Sequence, residues 1–300
     1  MTQLAKNLRY LATNSAWGYH VGGPSAAEPA ALACLALACH QQHDAARLPA
    51  QWLAATQARD GSVGVNASQN RPAWPTSLAI LAWNHLDAAL GRREYTETIA
   101  RAIRWSLETH GTTQPRQEHI GHDTTLTGWS WAADTHSWME PTCMFIMALK
   151  AVGQAHHERT REAVSLIIDR LLPEGGCNYG NTIVLGQTLL PHVQPTGLAM
   201  LALVGEDASD ERIEKSLAYL ETELSGESST SSLCYGLMGL AAHGRRPAPA
   251  SVWLEQAYDR LAQRGASSYK LALIALASCP PHNWLRWPEP LILSAKEPAR

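Results

Sequence analysis

Glu140-Pro141-Thr142-Cys143-Met144-Phe145-Ile146-Met147-Ala148-Leu149 is the stretch on which the fold turns. A proline, with a threonine behind it, opens a run that has no polar face. Three other stretches share the pattern: Glu28-Pro29-Ala30 running to Leu37, Trp74-Pro75-Thr76 to Ala82, and Gln194-Pro195-Thr196 to Leu203. Two weaker copies, Ser231 to Leu240 and Ser267 to Leu276, keep the apolar run without the proline. Proline at the first helical residue sacrifices no intrahelical hydrogen bond, and its φ is already helical. A helix apolar on every side is buried all round. Small residues recur in the runs and let neighbouring helices approach closely. The six runs are therefore expected to form an inner layer.

Between them lie segments that mix Arg, Glu and Asp with Leu, Ile and Trp at helical spacing. These are Arg47 to Ala58, Glu97 to Thr109, Thr160 to Leu172, Asp210 to Leu224 and Ala250 to Gln263. They suit an outer layer with one wet face. Gly/aromatic turns precede the inner runs: Trp17-Gly18-Tyr19, Asp60-Gly61-Ser62-Val63-Gly64, Gly128-Trp129-Ser130-Trp131 and Gly175-Gly176-Cys177-Asn178-Tyr179-Gly180. The unit is thus outer helix, turn, inner helix. About six such hairpins predict an all-α fold, an α/α toroid over residues 1–279. An open solenoid is the alternative. Residues 280–300 form a Pro- and Trp-rich tail, expected to pack on or cap the barrel or to touch a membrane interface.

Bulk properties narrow the function. The 300 residues are 45 % apolar and 17 % charged with a net charge of −3, enough for a large core and without a basic footprint for nucleic acid. Six scattered cysteines, no apolar leader and no bilayer-length apolar run point to a cytoplasmic chain, membrane-peripheral at most. Eleven Trp and eight Tyr stand against one Phe. Many of the Trp fall at helix ends, where they either line a pocket or close the core.

The stretch Trp52-Leu53-Ala54-Ala55-Thr56-Gln57-Ala58-Arg59-Asp60-Gly61-Ser62-Val63 resembles the QW motif of triterpene cyclases, with Val63 in place of the final Trp. With the turns above, it is similar to the prenyltransferase/squalene-cyclase repeat superfamily from about Leu8 to Ser278. That resemblance implies a terpenoid cyclase-like or prenyltransferase-like α/α toroid around an apolar cavity. In class II cyclases of the superfamily a D-x-D-D-T stretch supplies the proton donor. Here Trp138-Met139-Glu140-Pro141-Thr142-Cys143 matches it best, so Glu140 falls at the acid position, without the flanking aspartates. The competing reading of Glu140, and of Glu28 at the same repeat position, is a helix N-terminus stabilised by its dipole. The Ser232-to-Leu240 segment looks like the stretch that carries a zinc-ligand His in protein prenyltransferases. Ser232 stands at the ligand position, so zinc-dependent prenyl transfer and a partner α-subunit are not implied.

A polar cluster holds His119, His122, Asp123, Asp134 and His136, with His192 before the next inner run. It is read as a zinc site, as proton-transfer groups or as polar surface. The leading expectation is an isomerase, lyase or transferase of isoprenoid metabolism that needs no cofactor. In it Glu140, Asp134 and His136 are catalytic, and Trp17, Trp74, Trp129, Trp131, Trp138, Tyr179 and His192 hold an apolar isoprenoid ligand. The chain is about half the length of a two-domain triterpene cyclase by that resemblance. Two alternatives stand beside it. One is a non-catalytic toroid that binds a lipid or protein. The other is a carbohydrate-active α/α barrel, in which Glu28 and Glu140 are the only carboxylates at equivalent inward positions.

Overall fold

The computed structural model describes residues 2–117, 120–206 and 209–279. Within them are twelve helices: α1 (Gln3–Thr13), α2 (Ala27–Cys39), α3 (His43–Thr56), α4 (Thr76–Leu90), α5 (Thr96–Glu108), α6 (Met139–Ala151), α7 (Glu158–Asp169), α8 (Val193–Ala202), α9 (Glu211–Glu223), α10 (Thr230–Ala242), α11 (Ala250–Arg264) and α12 (Ser268–Ser278). A small hairpin, β1 (Ile183–Val184) with β2 (Gln187–Thr188), lies in the turn before α8. The even-numbered helices are the six apolar runs, and they are buried on nearly every face. Each packs on the next, and α12 packs back on α2. The ring is closed, so the architecture is the expected all-α toroid and not an open solenoid. The tail, residues 280–300, lies outside the described residues, as does His119.

Two local features differ from the sequence reading. Pro29, Pro141 and Pro195 occupy the third residue of their helices, and Pro75 precedes α4. All the same, they stay inside the first turn, where backbone N–H groups have no helical acceptor. The sixth outer helix, α1, is polar and short and was not expected as one. It packs on α12 and α2, where the ring closes. In the two proline-free repeats, serine caps open the helices: Ser229 accepts from the Ser232 N–H and Ser267 from the Lys270 N–H.

The threonine that follows three of the four prolines has a second function. Thr76 Oγ1 accepts from Val63 N at 2.8 Å, Thr142 Oγ1 from Trp129 N at 3.0 Å, and Thr196 Oγ1 from Cys177 N at 3.0 Å. Each hydroxyl thus pins the Gly/aromatic turn onto the inner helix it precedes. The first turn is tied outward as well: Gln57 Nε2 donates to Gly61 O and Thr98 O, both at 2.9 Å. At Gly61 φ is +95°, and an added Cβ would sit 2.3 Å from Arg101 O. Only glycine fits there.

Candidate active site

The residue before each proline is the repeat position that matters. Glu28, Glu140 and Gln194 occupy it in α2, α6 and α8, and Trp74 just ahead of α4, at one rim of the inner ring. Glu28 and Glu140 are 8 % and 7 % exposed. Tyr19 Oη donates to Glu28 Oε2 at 2.5 Å, and Gln194 Nε2 donates to Glu140 Oε1 at 2.7 Å. Burial pushes the Glu28 carboxyl up to about 7, with the Glu140 charge adding to the rise and the Tyr19 hydrogen bond opposing it. Glu140 is raised by burial against the Gln194 hydrogen bond. A carboxyl buried without a cation responds in this way, because the desolvated anion is the disfavoured form.

Phenols and indoles surround the pair. The Tyr19 ring lies 5.3 Å from that of Tyr269 on α12. Burial and Glu28 together hold the Tyr269 phenol protonated. On α10, Tyr235 is 4 % exposed and feels both Glu28 and Glu140, and its hydroxyl has no hydrogen-bond partner among the described residues. The indole N–H of Trp17 is likewise buried and unpartnered. Two buried carboxyls, both raised and one feeling the charge of the other, can donate and accept protons around a polar ligand.

The predicted site residues do not converge on one place. Glu140 and Trp17 belong to the rim. Trp74 and Trp131 meet edge to face at 4.8 Å, and Tyr179 and His192 lie 5.1 Å apart on the turn before α8. Trp129 is a wall residue instead of a pocket residue: it is 1 % exposed, stacks 4.9 Å from Phe145 and donates its indole N–H to Ser106 O. Asp134 is exposed at a left-handed loop position with φ +60° and does not join Glu140. His136 stacks 4.5 Å from Trp138 and turns into a side cleft with His122. The groups that sequence reasoning missed are Tyr19, Gln194, Tyr235 and Tyr269. Gln194 had a signal, since it stands where Glu28 and Glu140 stand.

No group of three or more His, Cys, Asp or Glu among the described residues is arranged to hold a metal. Asp123 is occupied by Thr125, whose backbone N–H and hydroxyl it accepts at 2.9 and 2.6 Å. Among the described residues the ring holds a small apolar cavity. This central cavity, among Leu32, Leu78, Met144, Leu198 and Met238, is about 50 Å³. That is room for a few waters, and it lends no support to a long isoprenoid held in the barrel. No helix among the described residues is long and apolar enough to cross a membrane.

No family model matches the chain, and no curated protein does. The likeness to the prenyltransferase/squalene-cyclase superfamily thus stands at the level of a helical toroid. Solved structures do resemble it. A glycosidase with a Glu-to-Ala substitution superposes with a TM-score of 0.61 at 9 % identity, over 95 % of this chain and 97 % of that one. A second Glu-to-Ala glycosidase, in complex with glucose, gives 0.59 at 10 % identity over the same shares. A Salmonella alpha-2-macroglobulin reacted with methylamine gives 0.54 at 15 % identity, over 94 % of this chain and 17 % of that one. At these identities the likeness is one of fold.

Proposed function

We propose that this toroid hydrolyses glycosides at its inner-helix rim, with Glu28 as general acid and Glu140 as the ionised partner. The observation that carries the reading is the pair itself: two buried, electrostatically coupled carboxyls from equivalent repeat positions, both raised above the ordinary range. Burial, with the Glu140 charge adding to it, raises Glu28 to about 7, which casts Glu28 as the proton-holding member and Glu140 as its ionised partner. Glycoside cleavage needs this division. Glu28 protonates the departing oxygen as the bond to the anomeric carbon breaks. Glu140 meets the positive charge that develops there, either by attacking the carbon or by deprotonating the water that does.

Tyr19 and Tyr179, about two-fifths exposed, offer faces for a sugar ring to stack on. The solved glycosidases of the same fold add weight. The variants studied replaced Glu in two cases and Tyr in another, and one holds glucose.

The test is a panel of nitrophenyl glycosides and oligosaccharides, beginning with gluco-configured ones, scored for released sugar. Wild type is expected to turn over at least one of them. Glu28→Gln and Glu140→Gln are each expected to lose about 10²–10⁴-fold in kcat. Wild-type rates in both variants, or no turnover across the panel by wild type, would defeat the reading.

A further inference from the structure

Beside the rim lies a second, wetter space. It has a volume of about 280 Å³ and is lined by Arg170, His122, His136, Gln114 and Asn181, with Ile183 and Val184 as an apolar wall. It is over five times the volume of the central cavity. Arg170 closes α7 and is 5 % exposed. One of its amino groups donates to Gly180 O, and its Nε lies 3.5 Å from Asp169 Oδ2. The other amino group makes no hydrogen bond among the described residues and belongs to a side chain that lines the cleft.

Of the nearby carboxylates, Asp169 already pairs with Arg170 through Nε, and other groups hold it and Asp123 as well. Asp169 Oδ2 accepts from Asp123 N at 2.9 Å, and Asp123 is held by Thr125. Neither lines the cleft, so its lining carries one fixed positive charge and no negative one. Burial and the Arg170 charge also push both imidazoles down, His122 to about 4, so they face a ligand as neutral groups. One free guanidinium edge among neutral donors and aliphatic carbon fits a singly charged ligand with hydroxyls. It suits neither a polyanion nor an apolar chain.

The cleft adjoins the carboxyl pair through one indole. His136 stacks on Trp138, and a Cβ placed on Gly180 would lie 3.5 Å from Trp138. Trp138 is the residue before α6, two positions from Glu140, and Met139 N donates to Tyr179 O at 2.9 Å. A ligand bridging cleft and rim would cross that ring.

We infer that this cleft is a subsite for a carboxylate-bearing sugar, with Arg170 pairing the carboxylate and Asn181 and Gln114 serving its hydroxyls. The sugar part of the assignment rests on the glycoside reading; the anion part does not. Calorimetric titration with glucuronate, glucose and acetate tests it, in wild type and in Glu140→Gln. Glucuronate is expected to bind about tenfold or more tightly than either of the others, equally in both proteins. Arg170→Gln is expected to abolish that preference. Since Arg170 is buried and could be needed for folding, His136→Glu is the second variant: the site is exposed, and a new carboxylate there is expected to repel glucuronate while sparing glucose. Glucose binding as tightly as glucuronate, acetate matching glucuronate, or an unchanged preference in His136→Glu would overturn the subsite. Failure of the glycosidase panel with the glucuronate preference intact would remove only the hydrolytic reading.

Discussion

Glu28 is a residue whose chemistry and stability pull in opposite directions. Its carboxyl titrates near 7 in the folded chain against about 4.5 in an unfolded one. Below pH ~4.5 both states hold the proton and burial carries no penalty. Between pH ~4.5 and ~7 the unfolded chain releases this proton while the folded one keeps it, so stability on the order of 3 kcal/mol is lost across that window and no more above it. Glu28→Gln removes the ionisation. It is expected to melt higher than wild type above pH 7 and to differ little from it near pH 4, while activity collapses. Thermal melts across that range check both halves. Gln194 supplies the complementary case. Its hydrogen bond lowers Glu140, so Gln194→Leu is expected to raise that carboxyl and move the acidic limb of a pH–rate profile upward. A limb that stays in place would mean that Glu140 does not titrate in the reaction. Glu28 and Glu140 could be found in the chain because a repeat marked them. Tyr19 and Tyr235 could not, since nothing but the closed ring brings α10 and the Trp17–Tyr19 turn to the same carboxyls.

At the scale of the element, the proline-threonine start of α4, α6 and α8 joins two tasks that composition alone does not separate. The proline marks where the helix begins. The threonine decides how the preceding turn sits on it. Thr142→Val keeps the shape of the side chain and removes the acceptor for Trp129 N, a buried donor. Leaving such a group unsatisfied costs roughly 1–3 kcal/mol, so urea midpoints are expected to fall accordingly, with Thr142→Ser close to wild type. Equal midpoints for Val and Ser would show that packing, not the hydrogen bond, holds the turn. The inner helices were legible because an apolar run with no wet face admits one placement. The turns were legible as turns and not as contacts: Trp129 reads as a pocket aromatic, yet Phe145 and Ser106 claim it for the wall. α1 escaped notice because its few apolar residues, Leu8 and Leu11 among them, gain meaning only against α12.

For the whole molecule, the decisive fact is the seam where α12 meets α2 and α1 lies over both. There Asn7 Nδ2 donates to Leu271 O at 2.9 Å, linking residues 264 positions apart. In an open helical stack the terminal repeats have one neighbour each and fray first, because stability is a sum of nearest-neighbour terms. A closed ring has no terminal repeat. Every inner helix has two inner neighbours, and removing any one opens the whole core. Native-state hydrogen exchange distinguishes the two regimes. The amides of α2 and α12 are expected to exchange through global unfolding, at rates close to those of α6 and α8. Leu37→Ala, a truncation at a fully buried site that should destabilise by about 2–5 kcal/mol, is then expected to lower protection in all six inner helices by a similar factor. If α12 instead exchanges orders of magnitude faster than α6, or if Leu37→Ala loosens α2 and its neighbours alone, the seam is not a working contact. The rim would then lose its geometry with it, since Glu28 sits on one side of that seam and Tyr269 on the other.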